Sequence, residues 1–332
     1  MKVLITGGTG FLGSYIVPEL LTKNIQCRLL VRNAVSAKKR MDDKIELVEG
    51  DITKPETLQG LSEDITHVLH MAALGHVSAI SKKSFRDFVN VNVNGTKNLL
   101  RACANKRIKR FVHISSTAAM GLVKKKGPVD ETDKPQPITP YQQSKLQSEQ
   151  KAFREGRRLG IPVVVIRPCM IYGKGGRGEF FKIADMMRKG IFPKVGVGRN
   201  LTPLVHASDV TRAVESALFQ GKPGETYLIA SSRSLPMDEL RSLIMKSWNT
   251  SSFYPFVPTY IMYTVAWLFE QLSRVTGIAP PATRQNIANT VWDREFSIKK
   301  AAHDLGYEPQ DDFGKNIHET IVWYQETDSN KR

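Results

Sequence analysis

Cysteine is scarce in this chain, and what there is shows no reactive pattern. Cys27, Cys103 and Cys169 are the only three in 332 residues, with no Cys-x-x-Cys pair and no metal-ligand spacing. That excludes a disulfide framework and a cysteine metal site, and it points to small core thiols in a reducing compartment. Long apolar runs are scarce too. The most apolar stretch, Phe253 to Leu268, is shorter than the roughly twenty residues that span a bilayer, and prolines interrupt it. It reads as a lid or core helix over an apolar substrate, or as an interfacial helix that dips into lipid. No leader is read at the start, where an apolar strand begins at the second residue. The expected location is therefore cytoplasmic, with a peripheral position on the membrane left open. Internal repeats and low-complexity tracts are absent.

Acidic residues are the other shortage: 32 Asp and Glu stand against 48 Lys and Arg, for a net charge of +16. The positives come in short clusters, among them Lys38 to Arg40, Lys106 to Arg110 and Lys124 to Lys126. No basic helix carries base-stacking aromatics, so nucleic acid is not an expected partner. A solvated surface that steers an anionic cofactor accounts for the charge, with weak attraction to an anionic membrane surface second.

What is present begins at the first residues. Lys2 to Thr6 reads as a buried parallel strand and runs into Gly7, Gly8, Thr9, Gly10, Phe11, Leu12 and Gly13, with a helical pattern from Phe11 to about Lys23. Glycines at this junction allow a tight turn and close approach of backbone to a pyrophosphate, and the helix start offers free N–H groups to it. The second strand, Gln26 to Val31, ends without the acidic residue that binds a ribose 2′-hydroxyl. Arg32 follows instead, and a guanidinium can grip a 2′-phosphate. NADP(H) is the favoured cofactor and NAD(H) the alternative. Asp51 and Ile52, after a third strand at Ile45 to Glu49, would border the adenine.

Further strands are expected at Thr66 to His70, Arg110 to Ile114 and Val163 to Ile166, with helices at Phe85 to Ala104 and Tyr141 to Leu159. Strand and helix alternate to about residue 170, which predicts a Rossmann-type doubly wound parallel sheet, α/β in class. Residues 171–332 are expected to form a smaller, mostly helical substrate-binding lobe, with Val205 to Ile229 returning to the sheet core.

Tyr141 and Lys145 lie one helical turn apart, and Ser116 ends the fifth strand. A free tyrosine is too weakly acidic to serve as a base at neutral pH, and a neighbouring ammonium favours its phenolate. Ser116 would hold a substrate oxygen against the Tyr141 hydroxyl, and Asn92 would orient Lys145 through water or backbone. His76 and Thr117 are candidates for the pocket lining. Arg199, beside Gly196 and Gly198, would bind a diphosphate if the substrate were a sugar nucleotide.

Together these residues resemble the extended short-chain dehydrogenases/reductases. The resemblance runs through Thr6 to Gly13, Asn92 to Thr96, Phe111 to Gly121, Tyr141 to Lys145, Arg167 to Gly173, Val205 to Asp209 and Phe296 to Pro309. It implies an NAD(P)-dependent oxidoreductase in which Ala72, Ala73, Pro168 and Ile171 also touch the cofactor. Dehydratases of the family carry Asp and Glu directly after the catalytic serine or threonine, where this chain has Thr117 and Ala118. Val31-Arg32-Asn33 looks like the dihydroflavonol reductase branch, and Phe253 to Leu268 is similar to the 3β-hydroxysteroid dehydrogenase branch. The favoured reaction is a secondary alcohol–ketone interconversion on an apolar, sterol-like, flavonoid-like or lipid substrate. A nucleotide-sugar epimerase or reductase is the first alternative and a non-catalytic NADP(H)-binding regulator the second. A homodimer is compatible with the pattern.

Overall fold

A computed structural model describes residues 1–75, 85–196, 198–250, 256–277, 280 and 283–329. Seven strands form one sheet, and every neighbouring pair in it is parallel. In chain order they are β1 (Lys2–Thr6), β2 (Gln26–Val31), β3 (Glu46–Glu49), β4 (His67–His70), β5 (Arg110–Ile114), β6 (Val163–Pro168) and an edge strand at Thr226–Ile229. Their spatial order is edge strand, β6, β5, β4, β1, β2, β3, the Rossmann arrangement. Because all run the same way, the ends of β1, β4, β5 and β6 open on one edge of the sheet.

Alternation along each strand divides the core into two layers. Val3, Ile5, Leu29, Leu69, Val112 and Val164 face the helices Gly13–Thr22 and Ala207–Gln220. Leu4, Leu30, Val68, Phe111 and Val163 face the helices Gly95–Ala102 and Pro140–Leu159. Strands buried on both faces are mostly apolar, and the buried exceptions here include Arg28, His67, His70 and His113. All three cysteines are free and buried.

Two expectations need correction. The single helix at Phe85 to Ala104 is three segments: α-helical Phe85–Phe88, π-helical Val89–Asn94 and α-helical Gly95–Ala102. Periodicity read over so short a stretch does not resolve the single extra residue that a π turn absorbs. The apolar stretch from Phe253 also divides, since Phe256–Val257 is a strand paired with Lys194–Val195 and the helix runs Thr259–Thr276. Residues 251–255 lie outside the described part. Among the described residues no helix is long and apolar enough to cross a membrane.

The remaining C-terminal residues build a third core. Tyr172, Phe180, Met187, Leu240, Ile244, Trp248, Ile317, Ile321 and Tyr324 pack together, while Tyr307 ties the tail to the sheet by donating its hydroxyl to the Ala230 carbonyl at 2.9 Å.

Candidate active site

The cradle after β1 is set by what cannot fit there. Gly7 has φ of 74°, and a Cβ on it would lie 2.8 Å from the backbone nitrogen of Ala72. A Cβ on Gly13 would stand 2.0 Å from the Gly8 carbonyl oxygen. The Gly10 N–H donates to the Gly7 carbonyl at 3.0 Å and closes the turn. Leu12 precedes the helix Gly13–Thr22 and gives it no side-chain cap, while the Ser14 N–H donates to the Gly10 carbonyl at 3.0 Å and the Tyr15 N–H to the Leu12 carbonyl at 3.1 Å. A glycine turn leading into the positive end of a helix dipole suits a pyrophosphate, and the residues present fit a dinucleotide. Thr9 and Phe11 lie in the same turn. Phe11 supports the loop after residue 172, for a Cβ on Gly176 would meet its ring at 2.9 Å.

Arg32 is exposed just beyond β2, and its charge, with that of Lys54, helps hold the Asp51 carboxyl below its ordinary range. Burial acts the other way on Asp51 and is outweighed by hydrogen bonds from the Thr53 N–H and hydroxyl, both at 2.8 Å. Sequence reasoning missed Glu49, whose carboxylate accepts from the Ala34 N–H at 2.9 Å. It places a second negative group close to Arg32. Ile52 is buried against Gly95, and its carbonyl accepts from Asn98 at 2.9 Å.

Under the cradle, a buried chain crosses the sheet. The Ala72 N–H donates to the Thr6 hydroxyl at 3.2 Å, and that hydroxyl meets His70 Nδ1 at 2.7 Å. His70 Nε2 lies 2.9 Å from the Thr96 hydroxyl. His113 stacks on His70 with ring centroids 5.2 Å apart. Burial pushes His70 down to about 3 and His113 well below its ordinary value, with the nearby Lys145 charge adding to both, so the floor of the site is neutral.

The helix carrying Tyr141 and Lys145 is fixed by its start. The Thr139 hydroxyl accepts from the Gln142 N–H at 3.3 Å, and Gln142 Oε1 accepts from the Thr139 N–H at 3.1 Å. This capping box with Pro140 in the first turn sets Tyr141 at the entrance and Lys145 one turn deeper. Ser116 caps the short 3₁₀ turn Thr117–Met120 through the Ala118 N–H at 3.1 Å, and it also hydrogen-bonds the Tyr141 hydroxyl. Phe88 meets the Tyr141 ring edge-on at 5.9 Å between centroids. Lys145 is 4% exposed, and its amine donates to the Ile114 carbonyl at 3.1 Å.

The sequence led to the expectation that Lys145 lowers the pKa of Tyr141, and in the folded chain further groups act on that phenol. Burial pushes the phenol up to about 12, the Ser116 hydrogen bond pulls against it, and the Glu179 carboxylate pushes it further up. Lys145 is itself pushed down to about 8 by burial, with Glu149 opposing. One of the amine's N–H groups donates to the Ile114 carbonyl, and burial is the main influence on the phenol. Nothing in the sequence pointed to Glu179, which starts the helix after a glycine-rich loop.

Asn92 contacts Ser144, the chain neighbour of Lys145, rather than the Lys145 amine directly. Its amide brackets the loop after β4, accepting from the Leu74 N–H at 2.7 Å and donating to the Leu74 carbonyl at 3.2 Å, and it donates to the Ser144 hydroxyl at 3.0 Å. Pro168 ends β6 opposite Ile229, and Ile171 sits in a short strand beside Val205. Thr117 is buried next to Ser116, and Ala73 follows Ala72 on the β4 loop. Arg199 is exposed on a turn of the C-terminal lobe, with no hydrogen bond to the Ser116–Tyr141–Lys145 group among the described residues. His76 lies outside the described residues. His206 caps the helix Ala207–Gln220, its Nδ1 2.7 Å from the Ser208 hydroxyl. A surface groove of about 700 Å³ lined by Ala34, Lys38, Met41 and Leu47 lies at the far edge of the sheet, away from Tyr141.

With the fold and these residues in place, the class is defined: the chain belongs to the NAD dependent epimerase/dehydratase family, which it matches over residues 3–230. It is an NAD(P)-dependent enzyme of the extended short-chain dehydrogenase/reductase type. Among its relatives is a 4-hydroxy-2-methyl-3-oxo-4-farnesyl-3,4-dihydroquinoline-1-oxide ketoreductase from Stigmatella aurantiaca, 27% identical over 92% of this chain and 92% of that one. A dTDP-glucose 4,6-dehydratase from Actinoplanes sp. is 29% identical over 98% of both chains. Among solved structures, gox2253 superposes with a TM-score of 0.81 at 28% identity, covering 98% of both chains. The dTDP-glucose 4,6-dehydratase DesIV from Streptomyces venezuelae, solved with NAD, gives 0.79 at 25% identity over 99% of this chain and 98% of that one.

Proposed function

We propose that this protein reduces a ketone to a secondary alcohol on an apolar substrate, with NADP(H) as its cofactor and Tyr141 as proton donor. The observation that carries this reading is the Tyr141 hydroxyl, kept protonated and hydrogen-bonded to Ser116 at the end of β5, across the sheet edge from the glycine cradle. A bound nicotinamide would supply the hydride to the carbonyl carbon. Tyr141 gives its proton to the carbonyl oxygen, Ser116 holds that oxygen, and Lys145 replenishes and orients the phenol from the buried side. The phenolic proton and the hydride together make one alcohol, so the step balances. A protonated phenol suits the reductive direction, because a general acid must hold its proton until the transition state.

Thr117 and Ala118 support a reductase over a dehydratase, since neither can take part in water elimination. The relative acting on a farnesylated dihydroquinoline supports an apolar substrate, as does the apolar helix Thr259–Thr276 over the lobe. Val31-Arg32-Asn33 and that helix support the dihydroflavonol and 3β-hydroxysteroid branch. Arg32 supports NADP(H), while Glu49 beside it keeps NAD(H) as the competitor. A sugar-nucleotide epimerase or reductase is the second reading, favoured by relatives of that kind and by the exposed Arg199. Weak docking on an anionic membrane and a homodimer belong to the proposal as well.

The test is a screen of NADPH and NADH oxidation over sterol-like ketones, flavonoid-like ketones, lipid ketones and keto sugar nucleotides. Turnover on one of the apolar classes supports the reading. Turnover only on sugar nucleotides transfers it to the second one, and tight cofactor binding without turnover on any class favours a regulator.

A further inference from the structure

We propose that Glu149 and Arg167 form a buried charge pair that holds the Ser115–Ser116 strand end in place and keeps a negative charge behind Lys145, making both of them positioning residues for the reaction. The inference rests on the function proposed above. Glu149 lies one helical turn beyond Lys145 and is 2% exposed, and Arg167, in β6, is 6% exposed. Both carboxylate oxygens are engaged. Oε1 accepts from Arg167 Nε at 3.0 Å and from the Ser115 hydroxyl, while Oε2 accepts from Arg167 Nη2 at 2.5 Å. The remaining guanidinium nitrogen, Nη1, sits 2.9 Å from the Met120 sulfur, at the end of the turn that Ser116 caps.

Stability alone does not explain two ions at this depth. An apolar pair of similar volume is often as stable or more so, because desolvation offsets the attraction. What distinguishes this pair is its position. Ser115, which it fastens, is the chain neighbour of Ser116, and Glu149 projects from the helix that carries Tyr141 and Lys145. The charged and titratable groups around Lys145 are Tyr141 and Glu149 on its own helix, His70 on β4, His113 on β5, and Arg167 behind Glu149 on β6. Both histidines are held neutral by burial. Glu149 is the group that opposes the effect of burial on the Lys145 amine.

The decisive experiment is the pH dependence of turnover, with NADPH affinity by nicotinamide fluorescence followed in parallel as a readout that needs no substrate. Glu149→Gln removes the negative charge and leaves Arg167 uncompensated, so the alkaline limb moves to lower pH. The expected size is about one to two pH units, the effect of a unit charge roughly a helical turn away at an effective dielectric near 20. Arg167→Met exposes Lys145 to an unpaired carboxylate and moves the limb to higher pH. Glu149→Asp keeps the charge and leaves the limb within about a few tenths of a unit of wild type. If a single variant does not fold, Glu149→Met combined with Arg167→Met decides the matter, since an apolar replacement of the pair is tolerated. In that variant the limb falls by less than in Glu149→Gln. Folded variants whose limbs stay at the wild-type pH, or shift in the same direction for opposite charge changes, overturn the proposal. If wild type turns over no substrate but the pH limb of NADPH affinity still moves with opposite signs, the proposed reaction fails and the pair's electrostatic role stands.

Discussion

The sheet and the helix Thr259–Thr276 handle apolar residues in opposite ways. In the sheet, Leu4, Leu29, Val68, Leu69, Val112 and Val164 are fully buried, and the same strands deliver Thr6, Ser116 and Lys145's carbonyl partner to one edge. Along the helix, Tyr260 is 72% exposed, Leu272 58%, Leu268 48% and Trp267 45%, so its outer face is apolar and uncovered. The family match covers the first region and stops at residue 230, before the second begins. The proposed chemistry therefore sits on buried elements inside the family match, and the proposed substrate surface lies outside it.

The first way to break this comparison is at the proton donor. Tyr141→Phe keeps the ring against Phe88 and removes only the hydroxyl, so turnover is expected to fall by about 10² to 10⁴ while cofactor affinity holds. Steady-state kinetics with a fluorescence titration of NADPH checks both, and activity within a few-fold of wild type removes Tyr141 from the mechanism. Next in size is the sheet core. Leu69→Ala is expected to cost about 2 to 5 kcal/mol in a denaturant titration, because close-packed strands on either side cannot collapse into the cavity. A loss below 1 kcal/mol would mean that the sheet is no more rigid than the lobe.

A smaller effect is expected at the cofactor end. Arg32→Ala should weaken NADPH by roughly ten- to a hundredfold, the loss of a hydrogen bond to a charged group, with NADH nearly unchanged. Equal losses for both cofactors, or a wild type that already prefers NADH, would assign the 2′ position to Glu49 instead. The smallest change belongs to the exposed helix. Trp267→Ser should alter stability by no more than about 0.5 kcal/mol, as exposed positions do, while raising KM for an apolar ketone. A large loss of stability would show that the outer face is covered in solution.

The parts of the fold that could be read from sequence are those whose signal is local. β1, β2 and β5 fall within the expected bounds because short, mainly apolar runs meet glycines or polar residues at their ends. The cradle, Tyr141 and Lys145 were visible because their chemistry requires particular residue types at short spacing. The direct hydrogen-bond partners of Asn92 and Lys145 were not, since each lies elsewhere along the chain: Leu74 for one and the Ile114 carbonyl for the other. Glu149 and Arg167 went unnoticed for the same reason, being 18 residues apart in sequence and joined only by the register of the helix Pro140–Leu159 on β6. Glu49 and Glu179 carry no motif at all, and only folding brings them near Arg32 and Tyr141.

The wide turn at Val89–Asn94 has a consequence for how such a chain can change length. A π segment holds one residue more than the α-helical turn it replaces, so its flanks stay in phase whether or not that residue is present. One residue could be deleted there without rotating Gly95–Ala102 out of its seat against the sheet. What would go is the π turn from which Asn92 bonds Leu74 and Ser144. An indel at this point would thus edit the loop over the active site while sparing the scaffold, giving the lineage a place to retune catalysis without refolding.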